Sequence, residues 1–171
     1  VDGVIVSDYA KGTCSDVLLK KVIKTSNESN IPIFVDPKGS NWEKYQNANL
    51  ITPNIKEAEI ILGEKLVIDE DFEMAGEKIC ATFDIEACLI TRGGDGMSFY
   101  CKNNTFHLKS EAKEIFDVSG AGDTVISAMA TGLIMDLTYK QAAELSNHAA
   151  GIVVGHIGTS AITIQELLNL N

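Results

Sequence analysis

Short apolar runs rich in β-branched residues alternate along this chain with longer segments whose apolar residues recur at helical spacing. Each run ends in a polar or glycine-bearing loop, as is typical of parallel strands that are covered on both faces. This alternation predicts an α/β fold of three layers, α/β/α, around a mainly parallel central sheet. Because ligands of such sheets bind beyond the carboxyl ends of the strands, we expect a site in the loops that follow the apolar runs.

The length of 171 residues leaves room for one sizeable core but not for two domains. Predicted strands span residues 4–6, 31–35, 50–51 and 87–90, and residues 97–101 and 105–108 form a predicted hairpin. Helices are predicted after a cap at Ser15 or Asp16 and over residues 54–62, 69–83, 125–135, 138–154 and 163–168, with a short helical turn at 42–45.

Composition excludes several classes of protein. The net charge of −10 argues against broad nucleic-acid binding, which depends on a basic surface. No apolar run approaches the roughly 20 residues that span a bilayer, and the first residues lack the basic segment of a signal peptide. The four cysteines show no C-x-x-C spacing and are predicted to be reduced thiols, so we expect a cytoplasmic protein. Because the chain has no initial methionine and begins in a predicted strand, we expect it to be cut from something longer.

The most informative loop contains two glycines one residue apart, Gly120 and Gly122, which allow a tight turn and a close approach of the backbone to a ligand. A predicted buried helix follows, and its N-terminus would aim main-chain N–H groups at an anion such as phosphate. Asp123 lies at the mouth of this turn and could receive the proton of an attacking hydroxyl while the N–H groups neutralise the phosphoryl charge. The alternative is that Asp117 and Asp123 only cap a helix.

Two further loops each allow a functional and a structural interpretation. Asn54 and Glu57 share one face of a helix, so they either lie near a magnesium–phosphate pair through waters or form a capping box. The glycine-rich segment 91–96 either contacts nucleotide phosphates through Arg92 and main-chain N–H groups or is a tight turn into the hairpin.

Other polar residues carry weaker signals. Lys11 and Lys38 each precede a glycine in a predicted strand-end loop, where they either compensate the charge of a phosphate-bearing substrate or are merely solvated. The three histidines share no ligand spacing and are predicted to be structural. The chain has no Walker A motif and no G-x-G-x-x-G opening a first βα unit, so P-loop and dinucleotide-binding functions lack support.

Three motifs together resemble those of the ribokinase-like (PfkB) carbohydrate kinases, namely Asn54-x-x-Glu57, Thr91-x-Gly93-x-x-Gly96 and Asp117-x-x-Gly120-Ala121-Gly122-Asp123. More narrowly, segments 7–12, 36–39, 52–54 and 153–160 resemble the kinase domain of proteins that combine a heptose-7-phosphate kinase with a heptose-1-phosphate adenylyltransferase. The resemblance makes residues 1–171 the C-terminal portion of a single ribokinase-like kinase domain, without the N-terminal part that carries the β-sheet lid.

The resemblance implies ATP-dependent, Mg²⁺-assisted phosphorylation of D-glycero-β-D-manno-heptose 7-phosphate at C1, on the route to ADP-heptose for lipopolysaccharide core. It assigns Asp123 as the base on the sugar hydroxyl and the N–H groups of Gly120, Ala121 and Gly122 as the anion hole. The residues that it assigns to the nucleotide are Asn54, Ile55, Lys56, Glu57, Thr91, Arg92, Gly93, Gly94 and Gly96, with Asn147 near adenine.

The resemblance also concerns the sugar, the metal ions and the assembly. It places Asp8, Lys11 and Lys38 at the sugar substrate, and it places Mg²⁺ near the carboxylate of the Asn54–Glu57 motif, through water. Family members often bind a monovalent cation such as K⁺ beside the signature turn, to which Asp117 and Ser119 could contribute. The lid commonly builds the dimer in this family, so the full-length protein is expected to be a homodimer.

Two other functions stay open at this point. The first is a PfkB-family kinase that phosphorylates another sugar or a nucleoside. The second is a non-catalytic nucleotide-binding fragment, which would bind ATP without turning it over.

Overall fold

The computed structural model describes residues 1–112 and 114–168. Six strands form a single sheet in chain order. They are Val4–Ser7 (β1), Ile33–Asp36 (β2), Leu50–Ile51 (β3), Ala87–Thr91 (β4), Met97–Cys101 (β5) and Asn104–Leu108 (β6). The α-helices are Asp16–Glu28 (α1), Ile55–Leu62 (α2), Asp69–Phe83 (α3), Ala121–Ile134 (α4), Tyr139–Val153 (α5) and Ile164–Leu168 (α6), and Glu43–Tyr45 and Gly93–Asp95 are 3₁₀ turns.

The sheet is parallel from β1 to β4 and antiparallel from β4 to β6. The change of direction comes at the glycine-rich loop after β4, which turns the chain straight back into β5. The parallel part requires crossovers, which α1 supplies between β1 and β2, and α2 and α3 supply between β3 and β4. The predicted mainly parallel sheet and the predicted hairpin are both confirmed.

Alternating side chains along the strands divide the core into two layers. In β2, Ile33 and Val35 pack with α1 and α3 on one face, whereas Phe34 packs with α4 and α5 on the other. In β4, Cys88 and Ile90 pack on the same face as Ile33, whereas Ala87 and Leu89 pack on the face of Phe34. Both faces of the sheet are therefore covered, which confirms the predicted three-layer α/β/α fold.

Two element boundaries differ from the prediction by more than one residue. Strand β2 begins at Ile33 rather than at residue 31, because the Ile31 N–H donates to the Ser26 carbonyl and still closes α1. Helix α4 begins at Ala121 rather than at residue 125, because Gly120 adopts the left-handed conformation (φ +82°) and acts as the N-cap. The second half of the glycine motif is therefore the first turn of a helix.

The carboxyl ends of β1, β2 and β4 lie at the same edge of the sheet, since these strands are parallel. An isolated bridge between Asn54 and Thr91 brings the start of α2 to the end of β4 at this edge. Within the described ranges, none of the helices has the length and hydropathy needed to cross a bilayer.

Candidate active site

The carboxylate of Asp123, in the first turn of α4, faces the carboxyl end of β1. Its Oδ1 accepts a hydrogen bond of 3.1 Å from Ser7 Oγ, and its Oδ2 accepts one of 2.8 Å from Tyr9 Oη. Asp123 and Ser7 are 116 residues apart in the chain. The fold thus brings the predicted base to the strand-end cleft, where a substrate of an α/β protein is expected.

The turn before α4 presents some of its predicted main-chain donors but not all. The Thr124 N–H and Oγ1 both donate to the Gly120 carbonyl, at 2.9 Å each, which fixes the turn. The Ala121 N–H donates to the Val118 carbonyl at 3.2 Å, so its assignment to the anion hole is not supported in this structure. Across residues 1–112 and 114–168, the Gly120 and Gly122 N–H groups form no hydrogen bond. These two remain the candidate anion donors.

Asp117 is held by main-chain donors from two segments. Its Oδ1 accepts from the Ser119 N–H at 2.9 Å, and its Oδ2 accepts from the Gly158 N–H at 3.2 Å. Hydrogen bonds from the side chain and backbone of Ser119, and from Gly158, lower the pKa of Asp117. The residues predicted to contribute to a monovalent-cation site therefore tie the signature turn to the segment after α5, and the carboxylate oxygens already have partners.

Asn54 and Glu57 form the capping box that was one of their two interpretations. The Asn54 side chain accepts from the Glu57 N–H at 3.0 Å, and Glu57 Oε2 accepts from the Asn54 N–H at 2.9 Å. Glu57 Oε1 pairs with the Lys38 ammonium, which comes from the loop after β2. Ile55 and Lys56 form the first turn of α2, with the Lys56 side chain exposed. The capping role and a position at the cleft therefore coexist.

Asp36, at the end of β2, lies among several carboxylates. Burial raises its pKa to about 6; Lys38 opposes this, and the charges of Glu57 and Asp123 add to it. Asp36 was not among the residues predicted at the site. Its position as the last residue of an apolar strand, directly before Pro37, is the sequence signal that could have identified it.

Asp8 occupies a different environment from the one expected of a residue that binds substrate. Only 1% of it is exposed, and its carboxylate accepts from Lys44 Nζ at 2.6 Å, Tyr45 Oη at 2.7 Å and the Ala10 N–H at 2.7 Å. Burial alone would raise the pKa of Asp8, but these hydrogen bonds hold it below its usual value. Its carboxylate is turned into the protein, whereas Lys11 lies exposed along an open groove at the same loop.

A second cleft lies beside Gly122, the residue before Asp123, and has a volume of about 630 Å³, including the part open to solvent. Its lining comes from the glycine-rich loop, the start of α4 and one side of α5, and includes Thr91, Gly93, Gly94, Gly96, Met97, Ala121, Gly122, Val125, Asn147, Ala150 and Gly151. Asn147 is buried and donates from Nδ2 to the Lys109 carbonyl at 2.7 Å. Small side chains and main-chain groups leave a slot for a flat, largely apolar group such as a nucleobase.

Arg92 does not point into this cleft. Its guanidinium donates to Asp69 Oδ1 at 2.6 Å and to Ser98 Oγ at 3.0 Å, and lies 4.3 Å from the centre of the Phe72 ring. Its Nε is buried and has no partner among the described residues. The predicted contact between Arg92 and nucleotide phosphates is therefore not supported, because the side chain is engaged by α3 and β5. Arg92 instead anchors the loop whose glycines line the cleft.

A family model described as pfkB family carbohydrate kinase matches residues 2–166 of this chain. The chain belongs to the pfkB family of carbohydrate kinases. Its curated relatives include bifunctional HldE proteins. That of Actinobacillus succinogenes is 46% identical over 99% of this chain, and that of Pasteurella multocida is 46% identical over 96% of it. The HldE protein of Haemophilus influenzae is 43% identical over 96%. The chain spans 34–35% of the length of these relatives.

Similarity to solved structures establishes that this pfkB-family chain has the ribokinase-like fold. Phosphofructokinase-2 from Escherichia coli in complex with potassium superposes with a TM-score of 0.85 at 18% identity, covering 97% of this chain and 55% of that one. The ribokinase of Arabidopsis thaliana in complex with ribose and ATP has a TM-score of 0.77 at 20% identity, covering 85% and 48%.

Several polar residues of this pfkB-family chain were not singled out from the sequence and are brought to the site by the fold. Ser7 and Tyr9 contact the Asp123 carboxylate, and Lys44 and Tyr45 bind Asp8 beneath them. A donor that follows a strand, as Ser7 does, could have been listed from its position. Lys44 could not, because a lysine in a short polar turn usually lies in solvent.

Among the described residues of the pfkB-family chain, no histidine or cysteine lines the 630 Å³ cleft. His107 bridges Ser98 and Glu73, His148 contacts Glu111, and His156 contacts Ser160, which agrees with their predicted structural roles. The four cysteines are free, as predicted. Over residues 1–112 and 114–168, no three His, Cys, Asp or Glu side chains are grouped so that they could hold a metal ion.

Proposed function

We propose that this chain is the C-terminal portion of a kinase domain that transfers the γ-phosphoryl group of ATP to a sugar hydroxyl. The observation that carries the proposal is the position of Asp123. Its carboxylate faces the strand-end cleft from the first turn of α4, next to Gly122, which also lines the adjoining 630 Å³ cleft. In-line phosphoryl transfer requires a base and an adjoining phosphate site, and here both would share one helix N-terminus.

The chemistry follows from the charges around that helix start. The N-terminus of α4 carries roughly half a positive charge, and Gly120, its N-cap, and Gly122, in its first turn, lie at that end of the helix. Their N–H groups stabilise the charge that develops on the transferred phosphoryl group. Asp123 accepts the proton of the sugar hydroxyl as the oxygen attacks phosphorus. Positioning and charge neutralisation supply most of the rate enhancement, since little covalent chemistry falls to the protein.

ATP and Mg²⁺ fit the described residues to different degrees. The cleft beside Asn147 has a largely apolar lining that suits a nucleobase, and its glycines allow main-chain groups to approach phosphates. The protein offers no cluster of three metal ligands within the described ranges, so Mg²⁺ would be held mainly by the triphosphate. Glu57 is the carboxylate that would contact such an ion through water. Bound there, Mg²⁺ would neutralise charge on the phosphate oxygens.

The acceptor that we propose is D-glycero-β-D-manno-heptose 7-phosphate, phosphorylated at C1 on the route to ADP-heptose. The motifs around Asp8, Lys38 and the segment after α5 resemble those of heptose-7-phosphate kinases, and identity of 41–46% to bifunctional HldE proteins supports the assignment. Lys38 and Lys11 are the cations that we assign to the substrate phosphate. The free cysteines fit a reducing compartment, and we propose the cytoplasm.

The decisive experiment replaces Asp123 by Asn in the protein that carries the complete kinase domain. We expect kcat to fall by about 10²- to 10⁴-fold, the range for loss of a general base, while ATP binding measured by calorimetry is retained. Asp136→Asn, in the exposed turn after α4, is the control and should leave kcat unchanged. If Asp123→Asn kept near-normal kcat, the proposed function would be wrong.

A panel of sugars and sugar phosphates tests the acceptor separately. The wild-type protein should turn over the heptose 7-phosphate with the highest kcat/KM. A higher kcat/KM for another sugar or a nucleoside would keep the kinase and overturn the proposed acceptor.

A further inference from the structure

Both carboxylate oxygens of Asp123 accept from hydroxyl donors in one short segment, the end of β1 and the loop that follows it. Ser7 Oγ donates to Oδ1 at 3.1 Å and Tyr9 Oη donates to Oδ2 at 2.8 Å. An ionised carboxylate has about four lone-pair sites, so two donors fix its plane and leave room for two more. The pair of hydroxyls therefore orients the carboxylate without using up its capacity to accept a proton.

The segment that carries these hydroxyls is anchored to the protein interior through Asp8. Asp8 lies between the two donors in sequence and points the opposite way, into the protein, as alternate residues of an extended segment do. It accepts from Lys44 Nζ, Tyr45 Oη and the Ala10 N–H, all at 2.6–2.7 Å. Because these partners are buried or main-chain groups, the loop has little freedom to turn Ser7 or Tyr9 elsewhere.

Packing does not explain the position of the Tyr9 side chain. The residue is 58% exposed, so its ring has few neighbours, and the hydrogen bond to Asp123 is its main specific contact. That hydrogen bond raises the pKa of the Tyr9 phenol, and the phenol stays protonated and able to donate at neutral pH. An exposed, hydrogen-bonded phenol beside the proposed base is suited to positioning that base.

We propose that Tyr9, together with Ser7, is a positioning residue for Asp123, aiming its free lone pairs at the sugar hydroxyl. This role rests on the function proposed above for Asp123. Neither hydroxyl receives the proton in the reaction, because each already donates its own to the carboxylate. The consequence is specific: loss of the Tyr9 hydroxyl should reduce the rate of phosphoryl transfer and leave nucleotide binding intact.

The test compares Tyr9→Phe with Tyr139→Phe in the protein that carries the complete kinase domain. Tyr139 is a matched control, since its hydroxyl also donates to a carboxylate, Glu86 Oε1 at 2.8 Å, but lies away from the cleft. Tyr9→Phe should lower kcat roughly tenfold with an unchanged KM for ATP, as expected when a hydrogen bond to a charged group is lost. Tyr139→Phe should leave kcat and both KM values unchanged.

A double variant and a serine series separate positioning from a general structural effect. Adding Tyr9→Phe to Asp123→Asn should lower the residual rate no further, because a positioning residue acts only through the group that it positions. Ser7→Ala should lower kcat and Ser7→Thr, which keeps the hydroxyl, should restore it; this pair decides the matter if Tyr9→Phe does not fold.

The outcomes distinguish this inference from the proposed function. If Asp123→Asn is inactive while Tyr9→Phe and Ser7→Ala stay within twofold of the wild type, the positioning role is refuted and the kinase assignment stands. If Tyr9→Phe lowers the rate equally in the wild-type and Asp123→Asn backgrounds, the role is also refuted. If Asp123→Asn itself is active, the proposed function fails first.

Discussion

Replacing Lys44 by Met would remove the buried cation that pairs with Asp8 while keeping the apolar stem of the side chain. The two side chains are 10% and 2% exposed and 2.6 Å apart, so the substitution leaves a buried carboxylate without its counter-charge. Breaking a buried ion pair in this way typically costs about 3–5 kcal/mol of folding free energy. Asp8 would keep the hydrogen bonds from Tyr45 and Ala10, so we expect the lower end, about 3 kcal/mol.

Urea unfolding followed by circular dichroism measures this cost, with Lys78→Met as the control. Lys78 pairs with Glu64 on the surface, with side chains 48% and 54% exposed, and its loss should cost less than about 1 kcal/mol. The cost of Lys44→Met should shrink as the pH falls. The pKa of Asp8 is lowered in the native state, so the stability that its ionised form contributes is present above its ordinary value of 3.8 and is lost below it. Equal costs for Lys44→Met and Lys78→Met at pH 7 would refute the reasoning.

Two further predictions concern the loops around the cleft. In metal-free buffer, Asp36→Asn should raise Tm at pH 8 and change it little at pH 4, because burial raises the pKa of Asp36 to about 6 and the carboxylate destabilises the fold only when it is ionised. The exposed Asp136→Asn is the control and should show no such pH dependence. An equal gain in Tm at both pH values for Asp36→Asn would contradict the prediction. Gly96→Ala should destabilise the protein by about 3 kcal/mol or more, since Gly96 has φ +97° and an added Cβ would lie 1.9 Å from the Leu108 carbonyl oxygen. Gly94→Ala, where an added Cβ meets nothing within 4 Å, is its control in the same urea measurement, and similar midpoints for the two variants would show that the loop relaxes.

The fold could be predicted because its signals are local. The run Ile33, Phe34 and Val35 is apolar throughout since the strand is covered on both faces, and a chain of such runs separated by helices leaves few topologies. The start of α4 could not be placed from the same signals. The apolar pattern begins at Val125, whereas the helix begins where Gly120 turns left-handed, and a glycine pair by itself does not say which residue adopts that conformation.

The site could be predicted as a set of loops but not as a set of contacts. Parallel strands end at one edge, so Ser7, Asp36 and the loop after β4 had to meet. Which side chains face inward depends on partners that are distant in the chain. Asp8 is buried because Lys44, 36 residues later, reaches it from a short 3₁₀ turn. The Arg92 side chain points away from the cleft because its guanidinium pairs with Asp69 and lies over the ring of Phe72, both in α3.

The charges at the cleft constrain how the proposed nucleotide could bind beside several carboxylates. Lys44 pairs with Asp8, and Lys38 pairs with Glu57 while its charge also acts on Asp36, so neither lysine pairs with Asp123. The N-terminus of α4 offsets roughly half a charge. A bare triphosphate would therefore be repelled. The nucleotide of the proposed reaction would therefore need to bring its own divalent cation. In the proposed reaction, the start of α4 and the hydroxyls on Asp123 would orient the reacting groups. The cation that arrives with the nucleotide would supply the compensating charge.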